Sequence, residues 1–240
     1  MPPPIAMLHH VSDDPVHESL KPYSIGRQSF LRLLDYLDRH QYQTVTFAGL
    51  DARTGSGKKQ IILSFDDCPK HLLDFAVPEL CRRGMKGVFY MPVAHLGGYN
   101  SWDVEEGRAR VELMDAGHLQ QLEKLGMEIG GHSWHHIRLK NEPAGKAAEE
   151  VLQCRKILGD IVAGPLLSFA WPFGSVPANY KHILTDAGFR YGLSIYQPYE
   201  NRFALRRFIY HDGDTDQTLE KKLSPAYKAY RFVTDPLKKY

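Results

Sequence analysis

Two short clusters of polar residues, each at the end of an apolar run, could do chemistry together. Ser64-Phe65-Asp66-Asp67 follows Gln60-Ile61-Ile62-Leu63, a β-branched stretch that reads as a buried strand. His132-Ser133-Trp134-His135-His136 follows Met127-Glu128-Ile129-Gly130-Gly131, a second strand pattern. Two histidines four apart share one face if they open a helix. One aspartate plus two histidines makes a three-ligand site with room for water, the arrangement of catalytic zinc centres. The second aspartate is then left beside that water, where a general base belongs.

At this point the sequence resembles a known family. Ser64-Phe65-Asp66-Asp67 is similar to the Thr-Phe-Asp-Asp motif of the polysaccharide deacetylases, the NodB-homology carbohydrate esterases. His132-Ser133-x-x-His136 is similar to their His-Ser/Thr-x-x-His motif. Phe169-Ala170-Trp171-Pro172-Phe173-Gly174 resembles the Phe-Ala-Tyr-Pro-Tyr-Gly form of their third motif. The motifs come in the family's order, and the likeness runs from about Ile5 to about Asp214.

The resemblance implies roles for individual residues. Asp67, His132 and His136 become metal ligands and Asp66 the base. Phe173 stands where the family has a tyrosine whose backbone N–H helps bind the oxyanion, and a backbone donor survives that change. Trp171 is a candidate wall for a sugar face, or a core aromatic. Many members place an arginine before the third motif; here Phe169-Ala170 stands instead. A Leu-Pro-Arg segment compensates in the Phe-Ala-x-Pro branch. Leu205-Arg206-Arg207 aligns with it, which assigns Arg207 to Asp66. Cys68 stands where the family usually has glycine. The family's C-terminal general-acid motif has no clear counterpart. His9, in Met7-Leu8-His9-His10-Val11, and His211 are the candidates, with Asp13, Asp14 or Asp212 as partners that keep His9 protonated. Ser133 is expected to cap the helix bearing His136, with His135 pointing away.

The elements that must position these residues alternate between strand and helix patterns. Strands are predicted at residues 5–9, 43–47, 61–65, 87–91, 127–131, 166–171, 191–196 and 203–209. Phe30, Leu33, Leu34 and Leu37 recur at helical spacing, as do Val151, Cys154 and Leu158, and Tyr180, Ile183, Leu184 and Ala187. Gly84, Gly126 and Gly188 each end a helix pattern just before an apolar residue that enters a strand. Repeated βα units predict a parallel sheet. The polar residues fall mostly at the strands' C-terminal ends, which in a βα barrel meet on one face. That placement favours a closed α/β barrel over an open sheet, and the family resemblance implies an irregular barrel of seven or eight parallel strands, expected here as one catalytic domain over residues 1–240.

Composition sets outer bounds. A chain of 240 residues suits one domain with a sizeable core. A net charge of +2 predicts no particular partner, and no nucleic-acid partner is expected. Three cysteines without CxxC spacing indicate neither a disulfide framework nor a zinc knuckle. The segment 51–59, with Gly55-Ser56-Gly57, lacks the Gly-Lys-Ser/Thr ending of a phosphate loop. The apolar run at residues 5–8 is too short for a signal peptide, no stretch reaches transmembrane length, and a cytoplasmic location is expected. The basic, aromatic stretch 221–240 (Lys222, Lys228, Arg231, Lys238 and Lys239 with Tyr227, Tyr230 and Phe232) would suit a sugar on a charged carrier.

The expected activity is metal-dependent removal of an acyl group, acetyl first, from an amino sugar in a carbohydrate or its precursor. Zinc is the first choice, with cobalt, nickel or manganese compatible. A deformylase or other amide hydrolase on the same site is the nearest alternative, and a non-catalytic carbohydrate-binding barrel the one from another class.

Overall fold

The computed structural model describes residues 3–13, 18–51, 59–197 and 200–235. The predicted glycine turn at 55–57, Asp14, Lys238 and Lys239 lie outside them.

The sheet is parallel and nearly closed. Its strands in chain order are β1 (Ile5–Leu8), β2 (His10–Val11), β3 (Ser24–Ile25), β4 (Gln43–Thr44), β5 (Gln60–Phe65), β6 (Val88–Met91), β7 (Glu128–Gly131), β8 (Ser168–Ala170), β9 (Tyr191–Ser194), β10 (Leu205–Arg206) and β11 (Phe208–Ile209). The main sheet runs β10-β9-β8-β7-β6-β5-β1-β11, with β4 on the start of β5, while β2 and β3 pair separately. The strands at its two ends, β10 and β11, are consecutive in the chain with only Arg207 between them. One segment therefore pairs first with β9 and then with β1, and closes the barrel at Arg207. This is the expected irregular (β/α) barrel, here with eight strands.

Helices cover the outside where the apolar periodicities predict them. They include α1 (Arg27–Arg39), which buries Phe30, Leu33, Leu34 and Leu37. The others are α2 (Phe47–Asp51), α3 (Ala76–Arg82), α4 (Ser101–Glu105), α5 (Ala116–Lys124), α6 (Ala144–Ile161), α7 (Tyr180–Asp186), α8 (Asp216–Leu223) and α9 (Pro225–Thr234). Val151, Cys154 and Leu158 form the buried stripe of α6. The three helix-ending glycines take φ of +64°, +78° and +78°, the left-handed stop that glycine permits without a Cβ penalty. Gly130 serves packing instead: a Cβ there would meet the Tyr90 ring at 2.3 Å and the Ser168 carbonyl at 2.9 Å.

Two predicted strands are revised. The 43–47 strand stops at Thr44, because Phe47 opens α2. The Glu128 carboxylate, buried at the start of β7, accepts the N–H of Ala48 in that helix's first turn at 2.9 Å. The 203–209 strand splits at Arg207, where the chain changes pairing partner. No described helix is long and apolar enough to cross a membrane.

Candidate active site and metal centre

The site is assembled by residues just past the strands' carboxyl ends, each tied by its backbone to a neighbouring strand. The N–H of Asp66 donates to Leu8 on β1 (2.9 Å), that of His132 to Met91 on β6 (3.1 Å), and those of Trp171 and Arg207 to Leu193 and Ser194 on β9 (2.9 and 3.2 Å). The ladder thus runs one residue beyond each strand and aims these side chains into the barrel mouth. They line a cavity of about 310 Å³ together with His9, Asp67, His136 and Phe173, within the size range of small-molecule sites.

Among the described residues, Asp67, His132 and His136 form the one group able to hold a metal ion. Asp67 Oδ1 lies 3.3 Å from His132 Nε2 and 3.2 Å from His136 Nε2. The two Nε2 atoms are 3.3 Å apart. Ligands about 2.0–2.2 Å from one ion at tetrahedral angles stand about 3.4 Å from each other, so the triangle fits. His132 Nδ1 lies 2.7 Å from the Ala170 carbonyl, which fixes the proton there and turns the Nε2 lone pair inward. Asp67 Oδ1 is buried without a hydrogen-bond donor. A cation is what such an orphaned carboxylate oxygen lacks.

Asp66 stands beside this triangle but outside it. Arg207, 1 % exposed, grips it with two parallel bonds, Nη1 to Oδ1 at 2.6 Å and Nη2 to Oδ2 at 2.7 Å. Burial alone would raise the Asp66 carboxyl, but the charges of Arg207 and His132 outweigh it and hold the group below its ordinary value. Asp66 is therefore ionised at neutral pH. Burial also opposes ionisation of Asp67, and His136 and His132 again outweigh it.

The turns carrying these groups are strained, and the expected helix over His132–His136 does not form. Ser133 and His136 take φ of +68° and +55°. The chain makes an irregular turn in which Ser133 Oγ accepts the His136 N–H at 2.9 Å. Ser133 thus holds a turn rather than a helix cap, and the two imidazoles meet through that turn. Sequence reading missed its main support. Glu150 on α6, buried, accepts the N–H groups of Trp134 (3.0 Å) and His135 (2.8 Å) and bonds His135 Nδ1 at 2.7 Å. That bond turns His135 away, as expected. Asp67, Cys68 and Phe173 also have positive φ, +66°, +50° and +57°. Such outliers persist where surrounding structure imposes them. The Cys68 value accounts for the glycine that the resembling motif has there. Cys68 itself is a buried thiol, raised well above its usual pKa by burial.

The remaining candidates fall as follows. Trp171 is fully buried, donates Nε1–H to the Phe203 carbonyl at 3.1 Å and still lines the cavity, so it serves both core and wall. The Phe173 ring packs 4.6 Å from that of His136. His9 reaches the site, with Nε2 3.9 Å from Asp66 Oδ2. Its expected partners do not: Asp13 and Asp212 accept the N–H groups of Arg27 and Gly26, both at 2.7 Å, at the start of α1. Asp66 itself is the carboxylate beside His9. His211 lines the cavity, with its pKa lowered by burial and by Lys222. His10 is pushed down to about 3 by burial and by His71 and His9, so it is uncharged near neutrality. Trp102 was not foreseen; its ring lies 4.0 Å from that of His136.

In the described part of the basic C-terminal stretch, three of the cations are paired. Lys222 pairs with Asp214, Lys228 with Glu200 at 3.1 Å, and buried Arg231 with Asp235 at 2.7 Å. Arg231 also donates to the Arg207 carbonyl at 2.8 Å, so α9 braces the barrel seam.

Comparison with solved structures agrees on the fold. The chain is similar to the Streptococcus pyogenes deacetylase PplD in complex with acetate (TM-score 0.77, 15 % identity, covering 93 % of this chain and 98 % of that one). It is similar to a de-N-acetylase from Aggregatibacter actinomycetemcomitans (0.74, 14 %, 91 % and 98 %). IcaB from Ammonifex degensii is a third neighbour (0.71, 20 %, 95 % and 96 %). No curated protein sequence matches. The family model of polysaccharide deacetylases matches residues 53–192, which takes in all three motifs and more than half the chain, and the chain belongs to that family.

Proposed function

We propose that this protein is a metal-dependent hydrolase that removes an N-acyl group, acetyl first, from an amino sugar. The observation that carries the reading is the pairing of an inward-facing Asp67–His132–His136 triangle with a second, ionised carboxylate clamped by Arg207. A barrel that only binds sugar has no use for that buried ion pair beside the triangle.

Asp67, His132 and His136 would hold one divalent ion, zinc first, with cobalt, nickel or manganese compatible with the donor set. When bound, such an ion polarises the acyl carbonyl and makes water acidic enough to attack near neutral pH. Asp66 accepts the proton of the attacking water. Arg207 keeps Asp66 ionised and turns its carboxylate toward the cavity. The Phe173 N–H is the donor for the developing oxyanion. Trp171 gives the sugar an apolar wall. His9 lies where it can return a proton to the leaving amine.

The test is acyl release by the metal-loaded protein from N-acetyl sugars, N-formyl sugars and simple non-sugar amides. Release of acetate from an N-acetyl sugar that disappears in Asp66→Asn supports the proposal. Preference for formyl groups or non-sugar amides moves the assignment to another amide hydrolase. No release from any substrate with metal bound favours the binding barrel.

A further inference from the structure

The cavity contains one fixed charge that the hydrolytic groups leave unused. Apart from histidines, its charged lining residues are Asp66, Asp67, Asp103, Arg108, Arg138 and Arg207. Five of these are committed. Asp66 and Arg207 hold each other, and Asp67 belongs to the metal triangle. Asp103 accepts from Arg108 at 2.7 Å and from Asn100 at 3.0 Å, and Arg108 also pairs with Glu106 at 2.9 Å. Arg138 has no carboxylate within ion-pair distance among the described residues.

Arg138 is not simply loose at the surface. Its guanidinium lies 4.1 Å from the centroid of the Phe173 ring, and that ring lies 4.6 Å from His136. It stands two residues after His136 and is braced on the residue whose N–H is the oxyanion donor. A guanidinium resting on an aromatic ring keeps its fork of N–H donors available, in the geometry that matches carboxylate and phosphate. The formal charges of the lining balance, three carboxylates against three guanidiniums. A divalent ion in the triangle would leave the cavity positive, with one excess charge on the ion beside Asp67 and the other on Arg138. No carboxylate of the lining is free to receive a cationic sugar.

We infer that the N-acyl sugar taken by this site carries an anionic group, phosphate or carboxylate, close to its acyl group, and that Arg138 binds it. The inference rests on the deacetylation reading for the identity of the sugar, but its binding arm is independent of turnover. Arg138 is thereby a specificity-determining residue.

The experiment uses the zinc-loaded protein with three probes: a neutral N-acetylglucosamine oligosaccharide, an N-acetylglucosamine phosphate, and an oligosaccharide alternating N-acetylglucosamine with a uronic acid. Amine release gives kcat/KM and titration calorimetry gives Kd, for wild type, Arg138→Met and Arg138→Lys. Arg138 is exposed, so neither change disturbs the core. The expected result is tighter binding of a charged probe by wild type, weakening as salt rises. The charged-over-neutral ratio should fall about tenfold or more in Arg138→Met, with partial recovery in Arg138→Lys. The charged probe that responds identifies the group as phosphate or carboxylate. Equal binding of charged and neutral probes by wild type, or an unchanged ratio in Arg138→Met, overturns the inference. If no acyl group is released but a charged probe still binds wild type about ten times more tightly than Arg138→Met, the deacetylation reading fails and this inference stands.

Discussion

Removing Arg207 should convert a stabilised base into a buried, uncompensated carboxylate, and the cost should depend on pH in a fixed direction. In the wild type Asp66 has a lowered pKa, held down against burial by Arg207 and His132. A carboxylate of that kind contributes stability above its unfolded pKa of about 3.9 and loses it as pH falls through the folded value. In Arg207→Met the burial remains and the main opposing charge is gone, so the folded pKa rises above the unfolded one. The Asp66 contribution then reverses sign and is lost as pH rises. Breaking a buried pair by deleting one partner costs about 3–5 kcal/mol. Part of that cost is independent of pH, because Arg207 also donates to Ser64 Oγ and the Ser194 carbonyl, both at 3.3 Å. The pH-dependent part belongs to Asp66 together with His132 beside it, whose proton Asp66 favours. Urea unfolding of the metal-free protein, wild type against Arg207→Met, should show a stability gap that widens from pH 5 to pH 8. Arg207→Met/Asp66→Asn should narrow the gap at pH 8. The acidic limb of the pH–rate profile should move to higher pH in Arg207→Met. A gap of the same size at both pH values, or an unmoved acidic limb, would refute the reasoning.

Other perturbations test separate parts of the structure. Glu150→Ala should weaken zinc binding about 10–100-fold by freeing the His132–His136 turn, with Glu150→Gln losing less; competition with a metal chelator reads it. Burial pushes Glu128 up to about 7. Wild type should therefore lose about 3 kcal/mol of stability as pH rises from about 4.5 to about 7. Glu128→Gln should abolish that slope in urea unfolding, and a parallel slope would contradict it. His9→Ala should lower turnover with metal content unchanged, while His211→Ala should have little effect; the opposite ranking would move the acid role to His211.

The fold was largely legible because its signals are local. Apolar runs gave the strands, helical spacing gave α1, α6 and α7, and the glycine stops marked the ends of α3, α5 and α7. The exceptions depend on distant partners. The strand expected at 43–47 gives way to α2, whose first turn is capped by Glu128, 80 residues along the chain. Residues 203–209 split at Arg207 because closing the barrel requires a change of neighbour, which no local pattern records. The meeting of His132 and His136 was foreseen, but through a helix; Ser133 and Glu150 impose a turn instead. Glu150 carried no signal, since a glutamate in a helix reads as solvent-facing until its backbone partners are seen. The basic C-terminus misled for the same reason: Asp214, Glu200 and Asp235 pair with Lys222, Lys228 and Arg231 only once the chain is folded.

The division of labour between two adjacent carboxylates is the centre of the account, and metal content per chain measured alongside acetate release tests it most directly. Wild type and Asp66→Asn should each hold one divalent ion, with turnover in Asp66→Asn reduced about 10²–10⁴-fold. Asp67→Asn and His136→Ala should lose the ion. Metal lost from Asp66→Asn and retained in Asp67→Asn would reverse the roles. Equal metal content in wild type and His136→Ala would contradict the site itself.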